Sequence, residues 1–265
     1  MFSNNVVIIT GASAGIGKEL AIQLAEQGAC LSLASRDINK LNELSDKCKM
    51  LGAKVITVQT DVSEKDQCKN LIDKTIEEFG KIDILINNAG ISMWAKFEDI
   101  TDINMFEKIM AVNYFGSVYC TYYALPHLKK SRGRIVGISS LTGLIGVPTR
   151  TAYAASKHAM AGFFDSLRIE LMNSGVTVTI IYPGFVATEV RERALGCDGK
   201  AVGKSHLDES NVMSAEECAR QIINTAAKRK RKLVMTTKAK IGMWVKLIAP
   251  GLIDKSSLKT ITKGH

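Results

Sequence analysis

The sequence predicts a single α/β domain built on a doubly wound, parallel β-sheet. Short apolar runs rich in Val and Ile alternate with helical stretches, and a glycine-bearing loop directly follows the first run. Strands that are apolar throughout are typical of parallel sheets covered on both faces, and right-handed crossovers place the helices there. No linker or repeat divides the 265 residues, a length that one α/β domain can fill.

Seven strands and six helices are predicted in alternation. The predicted strands are 6–10, 30–34, 54–59, 82–86, 134–139, 177–181 and 232–235. The predicted helices are about 15–28, 38–51, 64–79, 102–130, 152–173 and 214–228. The last helix opens with Ser214 and Glu217 at the spacing of a capping box, which marks a helix start.

Three glycines lie between the first strand and the first helix in the order G-x-x-x-G-x-G. Gly11 permits a tight turn, Gly15 lets the backbone approach a pyrophosphate, and Gly17 allows close packing of the helix. The free N–H groups and positive dipole end of that helix favour a phosphate. The strand before and the helix after therefore predict a dinucleotide site that includes Ser13 and Ile16, rather than an ordinary turn.

The end of the second strand indicates which dinucleotide binds. An NAD site places an acidic residue there, where it binds the ribose 2′-hydroxyl. This sequence has Ser35 and Arg36, and a guanidinium is a natural partner for a 2′-phosphate. Asp37, one or two positions further along the chain, could be the acidic residue that binds the ribose. We interpret it instead as the N-cap of the next helix. The charge pattern thus favours NADP(H) over NAD.

A catalytic group is predicted from three residues. Tyr153 and Lys157 lie at i and i+4 on one helical face, and Ser140 ends the fifth strand. Strand carboxyl ends and helix N-termini meet at the edge where doubly wound sheets bind ligands, so the three can converge. Reduction of a ketone builds negative charge on its oxygen, which requires a proton donor and a second hydrogen-bond donor. Tyrosine has a pKa of about 10, and a neighbouring ammonium would lower it.

From residue 5 to about 190, these motifs resemble the short-chain dehydrogenase/reductase family. The resemblance implies a Rossmann fold and hydride transfer between a nicotinamide and a carbonyl or secondary alcohol. It makes Asn113 the fourth catalytic residue, which holds a water in a proton relay to the lysine. Tyr153 and Lys157 are expected to contact the cofactor as well, with Lys157 holding the nicotinamide ribose. The resemblance also implies further cofactor contacts, namely Asp61, Val62, Asn87, Ala89, Gly90, Pro183, Gly184, Val186 and Thr188.

The resemblance also bears on the substrate and the subunits. It implies a substrate lid at about 188–213 and dimers or tetramers built through the helices at 102–130 and 152–173. The sequence segments 152–159, 163–165 and 247–252 resemble, more loosely, the branch of the family that includes dehydrogenase/reductase member 7B and lipid or steroid reductases. That branch implies a hydrophobic substrate. An apolar pocket is predicted from the residues beside the catalytic motifs, namely Met93, Trp94, Leu141, Leu144, Ile145 and Val147.

The positive charge is concentrated at the C-terminus. Residues 228–265 contain eleven Lys or Arg and one acidic residue, so of a net charge of +9 they carry +10 and residues 1–227 carry −1. Such a local feature, without a recognition motif, does not predict nucleic-acid binding. We divide the chain into a domain at 1–237 and a basic amphipathic extension at 238–265.

The extension begins with a predicted helix that Pro250-Gly251 should end. Its apolar positions recur at helical spacing beside lysines: Ile241, Trp244, Val245 and Ile248. It could lie on an anionic membrane surface, or it could pack on the domain or on a partner subunit.

Several function classes are disfavoured. Six scattered cysteines without a C-x-x-C pair favour a reducing compartment over a disulfide framework or a zinc site, and the four separated histidines give little support to any metal site. No secretory signal or spanning segment is recognised, so we expect a cytoplasmic protein. Two alternatives to a hydrophobic-ketone reductase stay open: a 3-oxoacyl-[acyl-carrier-protein] reductase, and a non-catalytic dinucleotide-sensing protein, which the complete catalytic set argues against.

Overall fold

A computed structural model describes residues 2–203 and 212–262. Its strands are β1 (Val6–Thr10), β2 (Cys30–Ser35), β3 (Val55–Gln59), β4 (Ile84–Asn87), β5 (Arg134–Ile138), β6 (Thr177–Tyr182), β7 (Val186–Ala187), β8 (Met213–Ser214) and β9 (Lys232–Val234). Its helices are α1 (Gly15–Ala25), α2 (Ile38–Met50), α3 (Lys65–Phe79), α4 (Asn104–Met110), α5 (Gly116–Ser131), α6 (Thr151–Glu170), α7 (Ala215–Ala227), α8 (Thr237–Ile248) and α9 (Pro250–Thr262).

The central sheet has seven parallel strands in the order β3-β2-β1-β4-β5-β6-β9. This confirms the predicted doubly wound sheet, and all seven predicted strands are present with ends shifted by at most two residues. The order reverses between β1 and β4, where the two halves diverge. Such a switch point opens a crevice at the carboxyl ends of the strands.

Two apolar cores cover the two faces of the sheet. Val7 and Ile9 of β1 face the core formed with α1, α2 and α7, whereas Ile8 faces the core formed with α3, α5 and α6. All three side chains are fully buried. Burial on both faces explains why the strand is apolar at every position rather than at alternate ones.

The predicted helix at 102–130 is interrupted, which corrects the prediction of one continuous helix. It consists of α4, one wide π-helical turn at Ala111–Phe115, and α5. Asn113 lies within the wide turn, and its carbonyl accepts a hydrogen bond from the Ser117 hydroxyl at 3.0 Å. Such turns often occur at functional sites, because they redirect one side chain out of the helical repeat.

The C-terminal part contains one helix more than the sequence predicted. The helix expected at 238–249 is α8, and it ends before Pro250 as expected. Pro250 then opens α9 instead of leading out of helical structure. A proline fits the first turn of a helix, because its missing N–H would have no intrahelical partner there.

Candidate active site

A cavity of about 1650 Å³ lies along the carboxyl edge of the sheet, at the β1/β4 switch point. A single ligand pocket usually has roughly 300–1,000 Å³, so this cavity has room for a dinucleotide and a second molecule. The predicted site residues that line it are Gly11, Ser13, Gly15, Ile16, Ser35, Arg36, Asp61, Val62, Ala89, Gly90, Ser140, Tyr153, Lys157, Pro183, Gly184, Val186 and Thr188. Gly17, Asn87 and Asn113 do not line it.

The glycine loop forms a tight cradle. Gly11 has φ +65°, and a Cβ there would lie 2.8 Å from the Ala89 Cα. A Cβ at Gly17 would lie 2.3 Å from the Gly11 carbonyl oxygen, so α1 packs directly beneath the loop. Gly17 therefore acts from below the cavity, through helix packing. Both positions exclude any side chain, which agrees with the roles predicted for them.

The N-terminus of α1 points its backbone donors at this cradle. Ala14 occupies the N-cap and cannot accept a hydrogen bond through its side chain. The first N–H groups of a helix have no intrahelical acceptors, and the helix dipole is positive at this end. A dinucleotide pyrophosphate supplies the acceptors and the charge that this end of α1 lacks. The cradle and the uncapped helix thus fit the phosphates of such a cofactor.

Asn87, the last residue of β4, was expected to contact the cofactor, but its side chain does not line the cavity. The Asn87 amide donates to the Thr121 hydroxyl at 3.1 Å, so this buried side chain joins the sheet to α5 and lies away from the cavity. Asn88, which was not predicted as a site residue, donates to the carbonyls of Thr10 at 2.9 Å and Gly11 at 3.1 Å. Alternate residues of a strand point to opposite faces, and that alternation at the strand end could have separated the two asparagines.

The end of β2 supports the interpretation of Asp37. Its carboxylate accepts a hydrogen bond from the Lys40 N–H at 3.1 Å and caps α2. The Arg36 side chain is 64% exposed, with its guanidinium 4.0 Å from the Asp61 carboxylate at the rim of the cavity. A guanidinium is therefore available where the ribose 2′ position of a dinucleotide is expected.

Tyr153 and Ser140 come together as predicted. Burial raises the pKa of Tyr153 above its ordinary value, while a hydrogen bond with Ser140 and the positive charge of Arg150 lower it. The Ser140 hydroxyl also accepts a hydrogen bond from the Thr142 N–H at 3.2 Å, which fixes its position at the start of a short turn. The phenol and the hydroxyl therefore meet at one point of the cavity wall.

Lys157 is a buried cation that is 3% exposed. Its Nζ donates to the Ile138 carbonyl at 2.8 Å and lies 5.8 Å from the centre of the Tyr153 ring. Burial lowers the pKa of Lys157 to about 8. We expected this ammonium to lower the pKa of Tyr153, but in this structure the cation that does so is Arg150.

Asn113 is fully buried behind the catalytic wall. Its side-chain Oδ1 accepts from the Ile91 N–H at 2.8 Å, and its side-chain Nδ2 donates to the Ile91 carbonyl and the Ser156 hydroxyl, both at 2.9 Å. A Cβ at Gly90 would lie 3.2 Å from this side chain and 3.4 Å from the Lys157 Nζ. Asn113 thus joins α6 to the loop after β4, and its part in a proton relay remains a prediction.

Beyond Ser140 and Tyr153 the lining includes apolar side chains. Leu141, Leu144, Ile145 and Val147 line the cavity as predicted. Met93 and Trp94 do not: Met93 is buried in a small core with Met105 and Ala152, and the Trp94 ring lies against Arg150. Further apolar lining was not predicted and comes from the C-terminal helices, with Ile241, Met243, Val245 and Ile253.

The segment predicted as a substrate lid is only partly described. Leu195 pairs with the loop after β4, because its N–H donates to the Ser92 carbonyl at 2.9 Å and its carbonyl accepts from the Trp94 N–H at 2.8 Å. At the C-terminal end of the predicted lid, Met213 of β8 pairs with Val186 of β7. Residues 204–211 of the predicted lid lie outside the described residues, and the lid remains a prediction.

Comparison with known proteins identifies the family. The family model for short chain dehydrogenase matches residues 5–195. The 11-beta-hydroxysteroid dehydrogenase 1A of Arabidopsis thaliana is 37% identical over 265 aligned residues, covering 96% of this chain and 76% of that protein. The dehydrogenase/reductase SDR family protein 7-like of Dictyostelium discoideum is 38% identical over 259 residues, covering 96% of this chain and 80% of that protein.

Solved structures give the same result. A short-chain dehydrogenase/reductase from Burkholderia phymatum, in complex with NAD, has a TM-score of 0.83 and 26% identity over 95% of each chain. An alcohol dehydrogenase from Thermococcus sibiricus, complexed with 5-hydroxy-NADP, has a TM-score of 0.75 and 25% identity over 87% of this chain and 95% of its own. Fold and site define an oxidoreductase that uses a nicotinamide dinucleotide. The chain belongs to the short-chain dehydrogenase/reductase family.

The buried Lys157 should give the protein a measurable pH dependence of stability. Its pKa is about 8 in the folded state, against an ordinary value of 10.5, so the unfolded state binds more protons between these values. Stability therefore rises with pH across that window. Relative to Lys157→Met, the free energy of unfolding of the wild type should increase by about 1 kcal/mol for each pH unit there.

Urea unfolding at several pH values measures this difference. The exposed Lys54→Met variant is the control and should follow the wild type at every pH. A difference between wild type and Lys157→Met that stays constant from pH 7 to 10 would contradict a lowered pKa.

Proposed function

We propose that the protein is an NADP(H)-dependent oxidoreductase that interconverts a carbonyl and a secondary alcohol on a hydrophobic, lipid- or steroid-like compound. The observation that carries the proposal is the meeting of Ser140 and Tyr153 where the dinucleotide cradle passes into an apolar chamber. That junction supplies polar hydrogen-bonding groups at one point and apolar surface beyond it, as a hydrophobic carbonyl compound requires.

The roles of the residues follow from their positions. The nicotinamide, when bound, supplies or accepts the hydride. Tyr153 donates a proton to the carbonyl oxygen during reduction and accepts it from the alcohol during oxidation. Ser140 donates a hydrogen bond to the same oxygen, where negative charge develops. Lys157 lies one helical turn away and can hold the nicotinamide ribose and return the proton.

Preference for NADP(H) is proposed from the end of β2. Arg36 lies at the cavity rim, and Asp37 is already engaged as the cap of α2. A phosphate dianion would gain from the guanidinium, whereas a ribose hydroxyl would lack its usual carboxylate partner. The two solved relatives carry different dinucleotides, so the preference rests on these residues.

Arg36→Asp should weaken NADPH binding about 10- to 100-fold, because one charge-assisted hydrogen bond is lost and a repulsive charge is added. NADH binding should change little or improve. Fluorescence or calorimetric titration with both dinucleotides measures this. Lys54→Asp makes the same charge change at an exposed position distant in sequence and should leave both affinities unchanged. Equal or tighter NADH binding by the wild type would contradict the preference.

The hydrophobic substrate is proposed from the chamber walls. Leu144, Ile145 and Val147 line the chamber, together with Ile241 and Ile253 of the C-terminal helices. Relatives named as hydroxysteroid dehydrogenases favour the same compound class. A 3-oxoacyl-[acyl-carrier-protein] substrate would also carry an apolar chain, and its acidic carrier would suit the basic tail.

Turnover assays separate these candidates. Steroid and long-chain ketones should oxidise NADPH with a higher kcat/KM than a short 3-oxoacyl group on its carrier protein. Tyr153→Phe should lower turnover by at least about 100-fold while keeping NADPH affinity, because the proton donor is lost and the cradle is intact. The reverse substrate order would favour the carrier-linked reaction. NADPH binding without turnover on either substrate would favour the sensing protein.

A homodimer or homotetramer is part of the proposal. The π-helical turn, helix α5, the end of α6 and the turn after α6 expose apolar side chains that a partner subunit could cover. They include Phe115, Tyr122, Ile169 and Met172, the last 76% exposed.

The partners further include a membrane surface, with the protein itself in the cytoplasm. In the described part of the chain, no helix is long and apolar enough to span a bilayer. Helix α8 packs on the domain through Ala239 and Met243, and Lys246 donates to the Leu144 carbonyl at 2.7 Å. The predicted apolar stripe therefore faces largely outward. Its exposed members on α8 are Ile241 (60%), Trp244 (71%) and Ile248 (86%).

The composition of this surface fits an anionic bilayer. Exposed lysines on α8, including Lys238 and Lys240, flank the stripe, and the region from residue 228 onward carries +10. Trp and aliphatic side chains enter the interface between headgroups and acyl chains, while lysines attract anionic lipid. Ile241 belongs both to the stripe and to the cavity wall, so a lipid-dissolved substrate would enter beside the membrane.

Cosedimentation with phosphatidylserine/phosphatidylcholine vesicles tests this contact. The double variant Trp244→Ala, Ile248→Ala should bind at least about tenfold more weakly, because two large exposed apolar side chains of the stripe are lost. Binding should also weaken in high salt or without phosphatidylserine. Met50→Ala, at a side chain 88% exposed on α2, is the control and should bind normally. Vesicle binding by the double variant that equals wild-type binding would contradict the proposal. A double variant that changes its oligomeric state without losing vesicle binding would contradict it as well.

A further inference from the structure

A buried arginine stands three residues before the catalytic tyrosine. Arg150 is 6% exposed, and its Nη1 donates to the Ser92 hydroxyl at 2.5 Å and to the Met93 carbonyl at 2.6 Å. Its guanidinium carbon lies 4.3 Å from the centre of a Trp94 ring, a cation–π distance. Two hydrogen bonds and one aromatic face therefore hold this side chain in a single orientation.

These contacts join the start of α6 to the loop after β4. The Ala152 N–H approaches the Met93 sulfur at 3.2 Å, and the Ala95 N–H donates to the Thr149 carbonyl at 3.2 Å. Thr149 has φ +64°, a left-handed conformation that is strained for a β-branched residue. Strain of this kind persists only where the surroundings impose it, and it is often found at active sites. The structure thus maintains an unfavourable backbone conformation immediately before Arg150.

Arg150 at the N-cap of α6 and Tyr153 in its first turn line the same cavity, so the guanidinium charge lies near the phenol. Burial lowers the pKa of Arg150 to about 10, the proximity of Tyr153 raises it, and the neighbouring Arg191 lowers it. Lys157, the other cation near the phenol, has a pKa of about 8. Between these values Lys157 loses its proton while Arg150 keeps a positive charge. Over that range Arg150 is the more durable of the two cations beside Tyr153.

We propose that Arg150 is a positioning residue for proton transfer: it fixes the first turn of α6 on the loop after β4 and keeps a positive charge beside the Tyr153 phenol. Its kinetic consequence rests on the proposed hydride-transfer function. Its effect on the ionisation of Tyr153 does not, and can be measured without any substrate.

Two substitutions separate charge from packing. Arg150→Lys keeps a cation, whereas Arg150→Gln keeps a hydrogen-bond donor for Ser92 and Met93 but removes the charge. Tyrosinate absorbance is followed with increasing pH in each variant, and the same curve with Tyr153→Phe is subtracted to isolate Tyr153. Arg150→Gln should move the Tyr153 transition to higher pH, and Arg150→Lys should stay close to the wild type.

The pH profile for alcohol oxidation should follow the same pattern. The part of the profile in which kcat rises with pH should move to higher pH in Arg150→Gln. Near neutrality kcat should be about tenfold lower in this variant, while KM should change little. Arg150→Lys should restore most of kcat. Thermal melting of every variant identifies any that is misfolded. If an Arg150 variant is misfolded, Ser92→Ala replaces it as the test of positioning, because this substitution removes one anchor of Arg150 but keeps its charge.

Three results are informative. Equal losses in Arg150→Gln and Arg150→Lys, with the Tyr153 transition unchanged, would overturn the proposal and leave Arg150 as a packing residue only. An unchanged kcat profile in Arg150→Gln would overturn it as well. A displaced Tyr153 transition in a protein that turns over no alcohol or ketone would support the electrostatic part while contradicting the proposed function.

Discussion

The close contact between the loops after β1 and β4 is the constraint on which the site depends. The Thr10 hydroxyl accepts from the N–H groups of Asn88 and Ala89, both at 3.0 Å, and Asn88 returns hydrogen bonds to the Thr10 and Gly11 carbonyls. These bonds close only because Gly11 has no Cβ. They set the width of the dinucleotide cradle at the point where the sheet order reverses.

The same contact extends from the cofactor side to the catalytic side. After Ala89 the chain passes Gly90, whose missing Cβ leaves room for Asn113 and Lys157. Ile91 is then bound by Asn113, and Ser92 and Met93 are bound by Arg150. Each bond joins this one loop to the helices that carry the catalytic side chains. A displacement of the loop would therefore change the cradle and the position of the phenol together, which couples binding geometry to chemistry.

The buried ionisable groups of the candidate site oppose the stability of the fold. A buried lysine and a buried arginine each lose hydration, and burial also disfavours the ionised phenol. The hydrogen bonds to the Ile138 carbonyl, Ser92 and Met93 offset part of this loss. Two large apolar cores supply the remaining stability. Such a compromise is expected where ionisable groups must work at shifted pKa values.

The sequence predicted what short-range patterns encode. Buried parallel strands are apolar at every position, and the glycine cradle has steric requirements that only glycine meets, so both could be located. Asp37 was assigned correctly, because an N-cap has a local signature. The position of the Asn87 side chain, which lies outside the cavity lining, could not be predicted, because its direction depends on the exact last residue of β4. The wide turn at Asn113 and the role of Arg150 depend on hydrogen bonds to Ile91, Ser92 and Met93, which lie more than twenty residues away.

The C-terminal helices show why composition alone could not decide the substrate side. Spacing identified Ile241, Trp244, Val245 and Ile248 as one apolar stripe, which is equally typical of packing and of membrane contact. In the structure Val245 and Ile241 reach the cavity wall, while Trp244 and Ile248 remain largely exposed. The helix therefore does not bury its most apolar side, as a helix stabilised by the domain alone would. The wall of the apolar chamber continues through Ile241 into an exposed apolar surface beside Lys238 and Lys240. If the substrate is the proposed hydrophobic compound, entry from an apolar environment would be favoured there, because the compound would pass between two apolar phases without crossing water.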